Sequence, residues 1–380
     1  MTSLQQVLAE NAGRADAEAS FPAESLAALR GSGLMGLLVP AEYGGAGGTL
    51  QDLVRVSGEL AGACLSTAMI WAMHCQQVAA VVAYAESPLR DTLLPRIAAG
   101  EVYLASVTSE RGKGGHLLTA QAPLETDGDE LIVRRDAPIV TGALHADGFL
   151  ITMRQDAGAP PHAVTLVYAD RADLKMETKG DWDPLGMRGT HSVAVQLDGT
   201  VPATNLIGEP GGFREVVVRA FAPAGHLGWA ACWLGAARAA LAEVVQLMRS
   251  PAGRRQLPSD SPLVRVRLAR VRQDLEVAAA FLNAVTAEAD AALRDARTAE
   301  DPAFQIRLNA LKVETSERAY RAVDQLVELV GLRFGYLRGG PLKLERTLRD
   351  LRSASLNYAN DRLLLANGAL TLLDREVRLG

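Results

Sequence analysis

Apolar positions change their spacing twice along this 380-residue chain. Over roughly the first hundred residues they recur at the three-to-four-residue interval of amphipathic helices, which predicts helices over 21–30, 50–61, 66–83 and 88–99. Glycine-rich turns at 31–33 and 44–48 punctuate them. From about 101 to 212 the segments VYLASVT, ELIVRRD, GFLITMR, HAVTLVYA and SVAVQLDG are short, rich in β-branched residues and bounded by Gly, Asp and Pro. They predict a compact β-domain. The helical interval returns at 213–249, 263–297, 303–331, 342–354 and 361–375. The pattern divides the chain into a helical unit 1–100, a β-unit 101–212 and a helical unit 213–380, a mainly α protein with a middle β-domain. Strands do not alternate with helices, so a dinucleotide-binding parallel sheet is not expected.

Composition narrows the class. Aromatic residues make up only 5% of the chain and alanine is abundant, which predicts helices that approach one another closely. A net charge of −5, spread along the chain, gives no electrostatic support for nucleic-acid binding. Three cysteines, Cys64, Cys75 and Cys232, match neither a disulfide framework nor a paired-cysteine zinc site. The N-terminus lacks an apolar signal core, and no apolar run approaches the eighteen or so residues of a membrane span. These features lead to the expectation of a cytoplasmic protein with no membrane or nucleic-acid partner.

Several short motifs fail on context. Gly31-Ser32-Gly33-Leu34-Met35-Gly36 spells a dinucleotide fingerprint, but it follows a helix and precedes an extended segment, the reverse of the required order. Gly112-Lys113-Gly114-Gly115 lacks the upstream glycine and the hydroxyl of a phosphate loop. His74-Cys75 has no second pair at ligand spacing, so no metal site is expected. No nucleophile elbow of the form Gly-x-Ser-x-Gly is present.

A set of longer phrases in fixed order carries more information. GLMGLLVPAEYGG stands at 33–45, TSERGKGG at 108–115, IVTG at 139–142 and WDPLGMRGT at 182–190. Val201-Pro202 and NLIG at 205–208 follow, then Arg254-Arg255-Gln256-Leu257, GLRFGY at 331–336 and Leu348-Arg349-Asp350. In this order they resemble the acyl-CoA dehydrogenase superfamily over essentially the whole chain, LGMRGT with the downstream VP…NLIG being the most specific element. The resemblance implies an N-terminal helical domain, a middle β-barrel and a C-terminal four-helix bundle. It also implies FAD, with FMN the lesser alternative, and assembly as a homodimer or homotetramer. The segment from Thr108 and Ser109 to Gly114 and Gly115 would border the flavin, and the Thr141 hydroxyl would reach its N5. Arg254 and Gln256 would meet the pyrophosphate from a neighbouring subunit, and Glu328 with Gly331 would form a further FAD contact. Ile139 stands where the family has a ring-shielding tryptophan, and Gly115 where it has serine.

The same comparison exposes departures at the catalytic base. The family's glutamate position is Tyr358, and the alternative seat on the first helix of the bundle is Gly225. A phenol titrates near 10, so it is a poor base at neutral pH. The Asp-x-x-Arg that would touch a CoA arm reads Pro223 and His226. His226 is a candidate base or proton donor and equally a packed histidine. Tyr358 would bind substrate or merely fill the vacated pocket, and Asp361 would turn inward or cap a helix. Trp229 and Trp233, four residues apart on one helical face, would line an apolar pocket or belong to the core. Three functions follow from the resemblance: a monooxygenase acting through a flavin (hydro)peroxide on a small or CoA-linked substrate, an acyl-CoA dehydrogenase with a relocated base, or a flavin-binding scaffold. A separate flavin reductase or an electron-transfer flavoprotein would be the redox partner.

Overall fold

The computed structural model describes residues 2–112, 116–257, 259–292 and 296–379. Five helices come first: α1 Ser3–Glu18, α2 Ala23–Gly31, α3 Leu50–Ala63, α4 Leu65–Tyr84 and α5 Leu89–Ala98. Local chemistry starts two of them. The hydroxyls of Thr2 and Thr49 accept from the backbone three residues on, and the Gln5 and Asp52 side chains answer back to the cap N–H groups. α1 is absent from the helices expected above, because acids and polar groups interrupt its apolar stripe. The stretch 31–36 is the end of α2 followed by one tight turn, not a phosphate-binding start.

Among the described residues eight strands follow: β1 Leu104–Val107, β2 Glu125–Asp127, β3 Glu130–Val140, β4 Gly148–Arg154, β5 Val164–Asp170, β6 Leu174–Lys179, β7 Val193–Pro202 and β8 Leu206–Ile207. They form two sheets, ordered β1-β4-β5-β8 and β2-β3-β7-β6. Among these described strands β1 and β4 pair in parallel and the other neighbours pair antiparallel. β2, β6 and β8 were not expected from the sequence; β2 and most of β6 face solvent and are largely charged or polar. In β3 the pairing with β7 slips between Ala137 and Val140. That slip leaves Ile139 53% exposed while Val140 is buried, and it points the exposed side chain at the cavity described below.

The C-terminal unit contains α6 Phe213–Val216, α7 Ala222–Arg249, α8 Pro251–Gln256, α9 Pro262–Ala292, α10 Ala296–Glu300, α11 Pro302–Gly331, α12 Leu344–Leu351 and α13 Asn360–Thr371. α7, α9, α11 and α13 are its main rods, and α7 also packs on α3 and α4. Small residues set that contact: a β-carbon on Gly235 would lie 2.3 Å from the carbonyl oxygen of Gly58. This is the close helix approach that the alanine-rich, aromatic-poor composition predicts. One expectation needs correction. α4 and the helical stretch Phe213–Arg249 are each long and apolar enough, by length and composition, to cross a membrane. The reason is burial inside the protein: α4 is covered on nearly every side by α3, α7 and the β-domain, so it has no polar face to keep.

Candidate active site

A cavity of about 550 Å³ opens between the β-domain, α4, α7 and the turn joining α12 to α13. Met69, Met73, Trp182, Trp229 and Ile139 supply apolar wall, while Thr108, Ser109, Thr141, Thr190 and Ser192 supply hydroxyls. Arg349, Arg352 and Arg362 are its charged members, and among the described lining residues there is no carboxylate.

Tyr358 sits on the 354–360 turn with φ +45, a left-handed conformation that costs a bulky residue energy and tends to mark working sites. Its ring lies 5.0 Å from Trp229 and 6.3 Å from His226, centroid to centroid. Neighbouring Thr108 and Gln76 side chains favour its ionised form, yet burial still pushes the phenol above its ordinary value. Gln76, on α4, was not singled out by the sequence. It is 1% exposed, and its Nε2 donates to the Phe221 carbonyl at 2.9 Å. A β-carbon at Gly225 would lie 2.2 Å from that same nitrogen. The Gln76 amide therefore fills the space beside Gly225, and no side chain can stand at 225 without moving it.

His226 is 4% exposed. Burial, then the charge of Lys312, push its imidazole down to about 3, so at neutral pH it is uncharged and weakly basic. It does not line the cavity; it backs the Tyr358 ring. The two tryptophans separate as well. Trp229 lines the cavity, whereas Trp233 is fully buried with the Lys312 amine 5.5 Å from its ring. Asp361 points to solvent, which removes it as an inward-turned acid.

The segments on the β-domain side are tied to each other. Ser109 Oγ donates to the Ile139 carbonyl at 2.7 Å, so its hydroxyl joins two cavity walls. Behind it, Arg135 and Glu110 form a buried ion pair at 2.5 Å, and Glu110 accepts from the backbone of Gln121 and Ala122. Thr141 Oγ1 lies 3.0 Å from Ser192 Oγ, which is 2.9 Å from Thr190 Oγ1. Arg349 and Asp350 hold the 182–190 turn, with Arg349 donating to the Leu185 carbonyl at 3.0 Å and Asp350 accepting from Met187 N–H at 2.5 Å.

Other residues indicated by the sequence lie elsewhere. Arg254 and Glu328 are exposed and, like Gly331, do not line the cavity. Gly331 adopts φ +71 and ψ −171, a combination open essentially to glycine alone. Gly114, Gly115 and the side chain of Gln256 fall outside the described residues. His74 is a core staple: Nδ1 accepts from Leu104 N–H and Nε2 meets the Met35 carbonyl, both at 3.0 Å. No cluster of three or more metal-ligating side chains exists among the described residues. Arg362 was not foreseen, although it lines the cavity and its buried Nη1 has no partner among the described residues.

Comparison with known proteins agrees with this architecture. Residues 2–101 match the family model for the N-terminal domain of acyl-CoA dehydrogenase, and residues 215–357 match that for its C-terminal domain. The chain is 26% identical over 358 residues to "Probable acyl-CoA dehydrogenase YngJ" of Bacillus subtilis, covering 91% of this chain and 88% of that protein. It is 25% identical over 352 residues to the dibenzothiophene monooxygenase of Rhodococcus qingshengii, covering 87% and 82%. The crystal structure of FMN-bound TdsC from Paenibacillus sp. A11-2 superposes with a TM-score of 0.82 at 21% identity, over 98% of each chain. The two family models between them account for more than half of the chain, and the protein is a member of the acyl-CoA dehydrogenase family of flavin-dependent oxidoreductases.

Proposed function

We propose that this protein is a flavin-dependent monooxygenase on the acyl-CoA dehydrogenase fold, acting in the cytoplasm on a small or CoA-linked organic substrate. The observation that carries this reading is the cavity lining, which holds no carboxylate among its described residues. Desaturating an acyl thioester requires a group that takes the α-proton. Tyr358 is held protonated by burial, and His226 is too weak a base and stands behind the phenol. Oxygenation needs no such base. Similarity to a dibenzothiophene monooxygenase supports the same reading.

The residues present suit FAD. Arg362, whose buried Nη1 has no partner among the described residues, carries the kind of group that binds a phosphate through parallel hydrogen bonds, and exposed Ile139 offers an apolar surface for a planar ring. Thr108, Ser109 and Thr141 would edge the isoalloxazine, while Arg254, Gln256, Glu328 and Gly331 would meet the cofactor of a second copy in a homodimer or homotetramer. When bound, the flavin supplies two electrons to dioxygen, one oxygen atom passing to the substrate and the other to water. The chain's own work is to shape the space. Met69, Met73, Trp182 and Trp229 exclude water from it, Tyr358 donates a hydrogen bond to the substrate, and Trp229 stacks on it. Electrons would come from a separate flavin reductase.

Two experiments test the proposal, the first run without oxygen and the second with it. Acyl-CoAs mixed with the oxidised holoprotein should leave the flavin colour unchanged. Chemically reduced holoprotein mixed with aerated buffer should show a transient absorbance unlike either oxidised or reduced flavin. Bleaching by an acyl-CoA would assign desaturation instead, and a bound flavin that does neither would assign a binding scaffold.

A further inference from the structure

Lys312 lies near the middle of α11, has no exposed surface and does not line the cavity. A buried ammonium is costly unless acceptors are arranged around it. Here the acceptors belong to one loop. Its Nζ donates to the Ala354 carbonyl at 3.0 Å and to Asn360 Oδ1 at 2.8 Å, the two ends of the turn that carries Tyr358. Asn360 is gripped from its other side, where Nδ2 donates to Ser316 Oγ and Glu317 Oε1, each at 3.1 Å. Between these anchors the Tyr358 backbone is held at φ +45, a conformation that persists only when its surroundings impose it.

We propose that Lys312 is a positioning residue that ties both ends of the 354–360 turn to α11 and so holds the Tyr358 phenol over the cavity. The inference rests on Tyr358 working in the site as proposed above, but its test needs no turnover. The charged and titratable groups around the amine are few. Glu317 faces it from its own helix, and His226 from α7, whose Trp233 ring also lies against the amine. Asp274 on α9 is occupied by Arg318 and Arg321. On the α12 side, Glu345 pairs with Arg349 and Asp350 with Met187 N–H.

Burial, opposed by Glu317, lowers the affinity of Lys312 for its proton so that it titrates at about 7. In an opened turn the amine is solvated and titrates higher, so above about pH 7 opening takes up a proton. Raising the pH therefore disfavours opening, by up to about tenfold per unit, and below about pH 7 the dependence vanishes.

Hydrogen exchange of the 354–360 backbone in flavin-loaded protein, corrected for intrinsic rates, reads this directly. The wild type should gain protection between about pH 7 and 9. Lys312→Met should lose about tenfold in protection and show no pH dependence. Lys312→Arg, charged throughout, should protect the turn without the pH dependence. If Lys312→Met fails to fold, Asn360→Ala removes one of the two ties and should likewise lower protection of this turn more than that of α11. Wild-type protection that stays flat from about pH 7 to 9, or a Met variant that behaves like wild type, overturns the proposal. Absence of oxygen chemistry with the exchange behaviour intact would overturn the function above and leave this positioning role standing.

Discussion

At position 225 a β-carbon would approach the Gln76 amide to 2.2 Å, so glycine there and glutamine at 76 form one feature shared by two helices. Gly225→Ala should cost about 1–2 kcal/mol in urea unfolding, because Gln76 must leave the Phe221 carbonyl to make room. The same change should cost little once Gln76 is already alanine, which a double-mutant cycle would show. Arg362 makes the complementary case, a cavity-lining arginine whose buried Nη1 has no partner among the described residues. Arg362→Ala should weaken flavin binding about ten- to a hundredfold in a fluorescence titration while leaving the melting temperature nearly unchanged. Neither Gln76 nor Arg362 was legible beforehand. A glutamine in an apolar helix and an arginine near a helix start have no local pattern that distinguishes them. Tyr358 was legible because the surrounding phrase gave the expected residue, and a departure from an expectation is visible in one dimension.

Among the elements, the turn at 182–190 shows why a short phrase can be so specific. Gly186 has no room for a side chain, since a β-carbon would lie 2.0 Å from the Arg349 carbonyl oxygen. Next to it, Met187 and His191 hold positive φ, and Asp350 accepts the Met187 N–H. Gly186→Ala would have to push α12 off this turn, so it should cost about 3 kcal/mol or more and lower the melting temperature accordingly. Asp350 has a pH signature of its own. Burial raises its carboxyl to about 6, above its unfolded value, so its contribution to stability is present in acid and is lost as pH rises from about 4 to 6. Asp350→Asn keeps an acceptor for Met187 N–H and removes the charge. It should stabilise the protein by about 1–3 kcal/mol at pH 7, while Asp350→Ala should destabilise it. The helices and strands themselves were legible where their apolar spacing was strong, as in α3 and β4. α1, β2, β6 and β8 escaped because polar residues dominate them or because they are very short, and pairing with neighbours supplies what their own sequence lacks.

For the molecule as a whole, three clasps hold the domains together around the cavity. Arg349 reaches Asp16 of α1 at 2.8 and 2.6 Å and Leu185 of the β-domain at 3.0 Å. Arg188 returns from the β-domain to the Asp16 carbonyl at 2.6 Å. Global stability should therefore report on buried titrations from every domain. His74 and His226 are lowered by burial to about 4 and about 3, so their contributions are full above about 6.5 and are lost as the pH falls toward those values. Asp350 acts in the opposite sense between about 4 and 6. These three alone would take up one net proton on unfolding in that range, and His145 and His191 of the β-domain, also lowered by burial, add to the uptake, so stability should fall by at least about 1.4 kcal/mol per pH unit on acidification. Urea titrations at several pH values would measure this slope, and His226→Asn should flatten it.

What the sequence determined by itself was the succession of helical, β and helical units, the family resemblance, and the absence of a glutamate at 358. Each is written in residue spacing or in short ordered phrases, which need no knowledge of distant neighbours. Only the tertiary structure decided that Gln76 fills the space beside Gly225, that Trp233 belongs to the core while Trp229 faces the cavity, that Asp361 turns outward, and that Lys312 bonds both ends of the Tyr358 turn. Those outcomes depend on which side chains from α4, α7, α11 and the 354–360 turn occupy the same few ångströms. Burial, which sets the proton affinities of His226, Lys312 and Tyr358, exists only once those elements have packed together.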